Sequence, residues 1–335
     1  MQAAQLDKYD KQFKLVVRDV PTPTPSANEV LVKVRYAAVN PLEMLIGTGS
    51  VKLIQNYQMP VTMGNEISGE VMGVGANVDD YQVGDAVYAR LPLPQQGGFA
   101  EYVAVDQAAL APMAKTLDFA HAAAVPLTGL TAYQGLHEEL GAKSGQSVMI
   151  PGGSGSFGQM AIPLAKQMGL EVSVSGNAEA REGVMALGAT NYFDFRQDNY
   201  WEKLSSVDYV IDTLGPKEFA HELQILKPGG RVLSLRMGPN RQFAKDHQLS
   251  WWKTALFTLA GRNFDKQAAS VGADYRFIFV RSDGQQLREI TKVVEENQIE
   301  PAIDPTVFHL TDINKALDLV ANGRPKGKVL IQFDK

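Results

Sequence analysis

The sequence predicts an α/β protein in which a doubly wound parallel sheet is inserted between two pieces of a tightly bent β domain. Three observations lead there. The chain has 335 residues, 45% of them hydrophobic, which exceeds what one core ordinarily serves and is enough to fill two. Its first third is short apolar runs broken by glycine and proline, and its middle alternates strand-like with helix-like runs. Its last part returns to the style of the first.

Residues 30–36 open the first domain: Val30, Val32, Val34 and Tyr36 alternate with Leu31, Lys33 and Arg35, the pattern of a half-buried strand. The segments GNEISGEVMGVG, YQVGDAVYA and GGFAEYVAV are then interrupted by Gly64, Gly69, Gly73, Gly75, Gly84 and Gly97, as the bends of a barrel-type β domain require. From residue 122 the period lengthens. Residues 147–150 read as a buried strand, and Ala161, Leu164, Ala165 and Met168 follow at helical spacing. Strands are expected again at 171–175, 207–212, 231–235 and 276–280, with helix-like stretches between, which is the rhythm of βαβ units. Helices over 285–296 and 312–321 and a strand over 328–333 close the chain. The expected domains are 1–123 with 282–335, and 124–281.

Composition narrows the chemistry. With 32 Lys+Arg against 37 Asp+Glu, a net charge of −5 and no basic block, nucleic acid and anionic membrane surfaces are not expected partners. No run is long and apolar enough to span a bilayer, and the start MQAAQLDKYDKQFKL lacks the features of a secretory signal, so a cytoplasmic location is expected. The absence of cysteine removes disulfides, thiolate nucleophiles and sulfur-ligated zinc. The five histidines, at 121, 137, 221, 247 and 309, show no paired ligand spacing. No metal site is expected.

The chemistry-bearing motif lies after the strand that ends at Ile150: Gly152, Gly153, Ser154, Gly155, Ser156, Phe157, Gly158, leading straight into a helix. In that context Gly153 permits the tight turn, Gly155 lets a pyrophosphate approach the backbone and Gly158 lets helix pack on strand, as in a Rossmann domain. The end of the second strand ordinarily carries an acid that grips the ribose 2′-hydroxyl of NAD. This chain instead has Ser175, Gly176, Asn177, Ala178, Glu179, Ala180 and Arg181, small hydrogen-bonding groups and a guanidinium suited to a 2′-phosphate, so NADPH is the expected cofactor. A second reading of Arg181 makes it a solvated helix residue paired with Glu179 or Glu182.

The segments AAVNPLE, GNEISGEVMGVG, YQVGDAVYA, GGFAEYVAV, AAAVPLTGLTAY, GGSGSFG, VDYVIDTLG and LKPGGRVLSL, in this order, resemble the zinc-independent quinone oxidoreductase branch of the medium-chain dehydrogenase/reductase family along nearly the whole chain. The resemblance implies a GroES-like catalytic domain around an inserted Rossmann domain, and a homodimer. In the family's zinc alcohol dehydrogenases, cysteine, histidine and cysteine stand where this chain has Asn40, Asn65 and Leu127, and the lobe holding the structural zinc is missing here. The resemblance places Asn40 beside the nicotinamide, Thr128 in contact with the cofactor, and Phe279 and Val280 flanking the nicotinamide. Relatives carry tyrosines shortly after the asparagine, where this chain has Leu45 and Val51, leaving Tyr57 as the nearby candidate proton donor. Asn40 and Asn65 are also explained as loop residues satisfying their own backbone. For Phe279 and Val280, core packing and strand pairing across a dimer are equal alternatives.

A site without zinc lacks a Lewis acid for an unactivated alcohol, whereas a quinone or α,β-unsaturated carbonyl is already electrophilic and needs only positioning and neutral donors for the developing oxyanion. The expected function is an NADPH-dependent reductase of such acceptors, with Asn40, Asn65 and Tyr57 as catalytic candidates and the substrate in a cleft between the domains. Two alternatives stay open: an enoyl-thioester reductase, and a dinucleotide-binding structural or RNA-associated protein without turnover. Trp251, Trp252 and Phe257 either line a pocket for an aromatic acceptor or serve helix packing.

Overall fold

The computed structural model describes residues 1–333. The first strands, β1 (Gln2–Leu6) and β2 (Val16–Asp19), pair antiparallel. β3 (Glu29–Val39) runs longer than the expected strand; Val30, Val32 and Val34 are buried while Leu31, Lys33 and Arg35 are partly exposed, as the alternation dictates. The chain then forms α1 (Pro41–Gly47), β4 (Val61–Thr62), β5 (Glu66–Val74), β6 (Ala86–Arg90), β7 (Tyr102–Asp106) and β8 (Leu110–Pro112). Two register shifts in the β3–β5 pairing mark where β3 bends. Two helices, α2 (Phe119–Ala122) and α3 (Pro126–Gln134), lead out of this β region.

The second part consists of β9 (Ser147–Ile150), α4 (Ser156–Gln167), β10 (Glu171–Gly176), α5 (Arg181–Ala186), β11 (Asn191–Asp194), α6 (Tyr200–Lys203), β12 (Val207–Asp212), α7 (Phe219–Gln224), β13 (Leu226–Ser234), α8 (Arg241–Asp246), α9 (Trp251–Ser270) and β14 (Asp274–Phe277). Its six strands are all parallel, in the order β11-β10-β9-β12-β13-β14. Numbered from β9, that is the 3-2-1-4-5-6 order of a Rossmann sheet, with its switch point between β9 and β12. β12 is buried at every position, as a central parallel strand covered on both faces must be. Below the sheet Phe219 meets Phe264 and Tyr275 edge to face, with centroids 5.7 and 5.9 Å apart.

The expected strand at 276–280 ends early, at Phe277. β14 pairs with β13, whose last residue Ser234 lies opposite Phe277. Beyond it the chain turns away, with the Arg236 and Met237 N–H groups donating to Ser234 Oγ, so β13 does not extend along Phe279 and Val280.

The chain then returns to the first β region through α10 (Gly284–Glu296), β15 (Phe308–His309), α11 (Ile313–Asn322) and β16 (Val329–Gln332). β16 pairs with β3, and β15 with β16, completing a seven-stranded sheet. The two compact units are Met1–Leu130 with the segment from Arg281 onward, and Thr131–Val280. The first division falls inside α3, beyond the border expected at 123, because that helix carries the chain from one core to the next without a linker. Among the described residues no helix is long and apolar enough to cross a membrane.

Candidate active site

In the first unit, Pro41 starts α1 with its fixed φ, and Asn40 is the N-cap. An N-cap side chain ordinarily accepts from the free N–H groups of its own helix. Here Asn40 and Glu43 form a capping box at the start of α1, and the amide also reaches beyond its own helix. Nδ2 donates to Glu66 Oε2 (3.0 Å) and to the Ala38 carbonyl (3.3 Å), and Oδ1 accepts from Lys328 Nζ (2.7 Å). Lys328 also donates to Glu66 Oε2 (3.0 Å), and Glu66 Oε1 accepts from the Leu127 N–H (2.7 Å). Glu43 closes the cluster by accepting from the Asn40 N–H (2.7 Å) and from Asn65 Nδ2. Asn40, Glu43, Asn65, Glu66 and Lys328 are all buried.

Burial controls the charges of this cluster. It pushes the Glu43 carboxyl up to about 8, against the lowering effect of the Asn40 N–H. Arg90, opposite Glu66 on the β5–β6 pair, is buried too; burial lowers it to about 10, and its Nε has no hydrogen-bond partner. Tyr57 is held by a bond from Gln96 Nε2 (2.7 Å) to its hydroxyl, and burial raises that hydroxyl to about 12. Arg90 and Glu43 are near enough to act on it electrostatically. Asn65 Oδ1 is buried without a partner. The structure therefore brings Asn40 and Asn65 into one buried hydrogen-bonded cluster, and Tyr57 stands near enough to Glu43 and Arg90 to feel their charge.

Four members escaped the sequence reading. Glu43 and Glu66 stand inside AAVNPLE and GNEISGEVMGVG; the available signals were the N3 position of Glu43 after an Asn-Pro helix start and, for Glu66, an acid at the head of a buried strand. Arg90 ends an apolar strand and offered a signal like that of Glu66. Lys328 lies 288 residues from Asn40, and no local pattern links them.

In the second unit, the glycine loop lies at the carboxyl end of β9. A Cβ on Gly158 would sit 1.7 Å from the Gly153 carbonyl oxygen, so helix and turn approach as closely as that motif demands. A Cβ on Gly155 would meet nothing within 4 Å. Gly155 is the N-cap of α4, and no side chain caps that helix. An uncapped helix N-terminus beside open space fits a dinucleotide pyrophosphate. Ser154 packs against Gly176, where an added Cβ would come within 2.7 Å of the serine Cβ. Ser156 and Phe157 form the first turn of α4.

At the end of β10, Ser175 is buried and its Oγ accepts from the Gly152 N–H (3.1 Å). The Asn177 side chain caps the following turn by accepting from the Ala180 N–H (2.9 Å), and its carbonyl accepts from the Tyr192 hydroxyl. Arg181 is exposed, with its guanidinium carbon 5.9 Å from the Tyr192 ring centroid. It pairs with neither Glu179 nor Glu182 among the described residues; Glu179 faces Arg196 instead, at 4.0 Å. Tyr192 is the residue missed here, because β11 was not recognised as a strand. Thr128, in α3 of the first unit, donates to the Ala124 carbonyl (2.9 Å). Phe279 and Val280 are partly exposed on the segment after β14. The three aromatic residues of α9 divide: Phe257 is buried edge to face against Phe243, while Trp251 and Trp252 are exposed.

Comparison with known proteins bears on the whole chain. The alcohol dehydrogenase GroES-like domain model matches residues 26–115, and the zinc-binding dehydrogenase model matches 187–331. The 2-methylene-furan-3-one reductase of Solanum lycopersicum is 31% identical over 322 residues, 93% of this chain and 74% of its own. The chain belongs to the quinone oxidoreductase branch of the medium-chain dehydrogenase/reductase family. Within that branch, the quinone oxidoreductase of Homo sapiens is 29% identical over 82% of this chain and 85% of its own. The solved structure of the Coxiella burnetii quinone oxidoreductase superposes with a TM-score of 0.79 at 27% identity, covering 100% of this chain and 99% of that one.

As a medium-chain dehydrogenase/reductase the chain binds a dinucleotide, and the cradle of Gly153, Gly155 and Gly158 under the uncapped α4 fits one. The positions held by zinc ligands in other family members do not fit a metal. Asn40 and Asn65 offer neutral amides and Leu127 only its backbone; of the two carboxylates beside them, Glu66 is paired with Lys328, whose ammonium would repel a cation, and Glu43 is held protonated by burial.

Proposed function

We propose that this protein is an NADPH-dependent reductase that reduces a quinone or an α,β-unsaturated carbonyl without a catalytic metal. The observation that supports the reading is the buried Lys328–Asn40–Glu66 network, an ammonium and an amide at Asn40, which the family resemblance aligns with a zinc ligand of the alcohol dehydrogenases. The bound cofactor supplies a hydride from its nicotinamide C4. Reduction leaves negative charge on the acceptor oxygen, and the cationic and N–H groups of the network stabilise that charge at short range in a water-poor setting. Glu43, held largely protonated by burial, and Tyr57, whose hydroxyl keeps its proton to high pH, are the candidate proton sources. Asn40 acts chiefly through Lys328, since both its amide hydrogens are engaged.

The choice of NADPH rests on Arg181, unpaired and held against Tyr192, and on the lack of an acid at the end of β10. Asn177 and Ser175 hold the turn in shape. The same reading carries a cytoplasmic homodimer, for which β14 at the edge of the parallel sheet offers a strand to pair. The test is a panel of simple quinones, enones and enoyl-thioesters assayed with NADPH and NADH. Turnover of quinones or enones with NADPH is expected. Turnover confined to enoyl-thioesters, or none with any acceptor, overturns the reading.

A further inference from the structure

The outer face of α9 carries chemistry that the redox site does not use. On its inner face Phe257, Gly261 and Ala268 are buried against the second unit. On the opposite face Trp251 is 83% and Leu259 70% exposed, with Trp252 and Leu256 also exposed on the same two turns. Soluble helices bury such residues. The charge around them is also unlike the rest of the chain. Residues 241–266 contain Arg241, Lys245, Lys253, Arg262 and Lys266 against only Asp246 and Asp265, in a chain whose net charge is −5.

The two acids are engaged. Asp265 accepts from Asn240 Nδ2 (2.7 Å), and Asp246 faces Arg276 at 3.8 Å. Arg241 and Arg262, by contrast, have no ion-pair partner among the described residues, and both line the shallow groove formed with Trp251, Ala255 and Leu259. A ridge of exposed Trp and Leu flanked by unpaired guanidinium groups is the composition of a helix that lies in a membrane interface, with indoles at headgroup level and basic groups on lipid phosphates.

We propose that α9 docks this protein on the surface of an anionic phospholipid bilayer, through Trp251, Trp252, Leu256 and Leu259 with Arg241 and Arg262 on the lipid phosphates. The whole-chain charge argues against such a surface only as an average; the charge of this face is the reverse. A second copy of the chain is the weaker occupant. In a two-fold contact the face would meet itself, setting guanidinium groups against guanidinium groups with no acid in the groove's lining to offset them.

The experiment is co-sedimentation of the full chain with vesicles of phosphatidylglycerol mixed into phosphatidylcholine, against phosphatidylcholine alone, with no turnover measured, so that its outcome is independent of the redox reading. Binding to the anionic vesicles only is expected, weakening as salt rises, with tryptophan emission shifted to shorter wavelength on binding. Each basic residue near such a surface contributes about five-fold in binding, so Arg262→Glu should weaken it about thirty-fold. Trp251→Ala combined with Leu259→Ala should weaken it by at least about ten-fold. Both variants lie at exposed positions and should keep the wild-type thermal midpoint. Absence of binding, equal binding to both vesicle types, or binding that survives in both variants would overturn the proposal. So would a dimer in sedimentation equilibrium that the same substitutions dissociate, since the face would then join two copies.

Discussion

Lys328 Nζ lies 3.0 Å from Glu66 Oε2, with the lysine side chain 6% exposed and the glutamate fully buried. Removing one partner of such a pair leaves a buried charge alone, which costs about 3–5 kcal/mol. Lys328→Met should therefore destabilise the protein by about that much in urea unfolding, and Glu66→Gln added to it should recover part of the loss. Equal stability of wild type and Lys328→Met would mean that water, not the ammonium, satisfies Glu66.

Glu43 carries a pH dependence whose sign is set by burial. Its carboxyl has a folded value near 8 against 4.5 when unperturbed, so the folded state holds the proton more tightly than the unfolded state. The stability contributed by that proton is complete below pH 4.5 and is lost as pH rises through 8. Urea midpoints of wild type should fall between pH 5 and pH 9, and those of Glu43→Gln should fall less. Parallel slopes in the two proteins would show that Glu43 is ionised throughout.

Asn40→Ala should lower turnover with quinone or enone more than it weakens cofactor binding, because the amide holds Lys328 in place for a charge that exists chiefly in the transition state. Kinetics set beside a direct NADPH titration make the separation. Unchanged kcat would reduce Asn40 to a structural strut between β3 and α1.

Arg181→Ala tests the cofactor. A charge-assisted hydrogen bond contributes about 1.5–3 kcal/mol, so NADPH affinity should fall roughly 10- to 150-fold, toward the lower end because the side chain is exposed, while NADH affinity hardly changes. Fluorescence titration of both cofactors on both proteins gives the answer. If wild type binds NADH as tightly as NADPH, Arg181 serves only to cover the Tyr192 ring.

Activity should persist after dialysis against a chelator, and metal analysis should find no stoichiometric zinc, since Asn40 and Asn65 offer neutral amides and the neighbouring carboxylates are taken up, Glu66 by Lys328 and Glu43 by its own proton. One zinc per chain whose removal abolishes turnover would contradict the assignment.

Much of this protein was legible in its sequence because the signals are local. Alternation in β3 and the glycine spacing before α4 each depend on neighbours a few residues apart, so period and steric demand expose them directly. The amides at Asn40 and Asn65 and the absence of cysteine set what chemistry is available before any fold is known. What Asn40 does was decided only by tertiary structure. Its capping position predicts a side chain that serves its own helix and nothing more, but β16 returns from the far end of the chain to lie along β3 and brings Lys328 to it, and β5 brings Glu66. Likewise the strand expected through Val280 stops at Phe277, because a parallel strand lasts only as long as its neighbour. Hydrogen bonding inside an element can be read along the chain; the partner of a buried charge is chosen by whichever distant segment the fold carries past it, and burial then makes that partner obligatory.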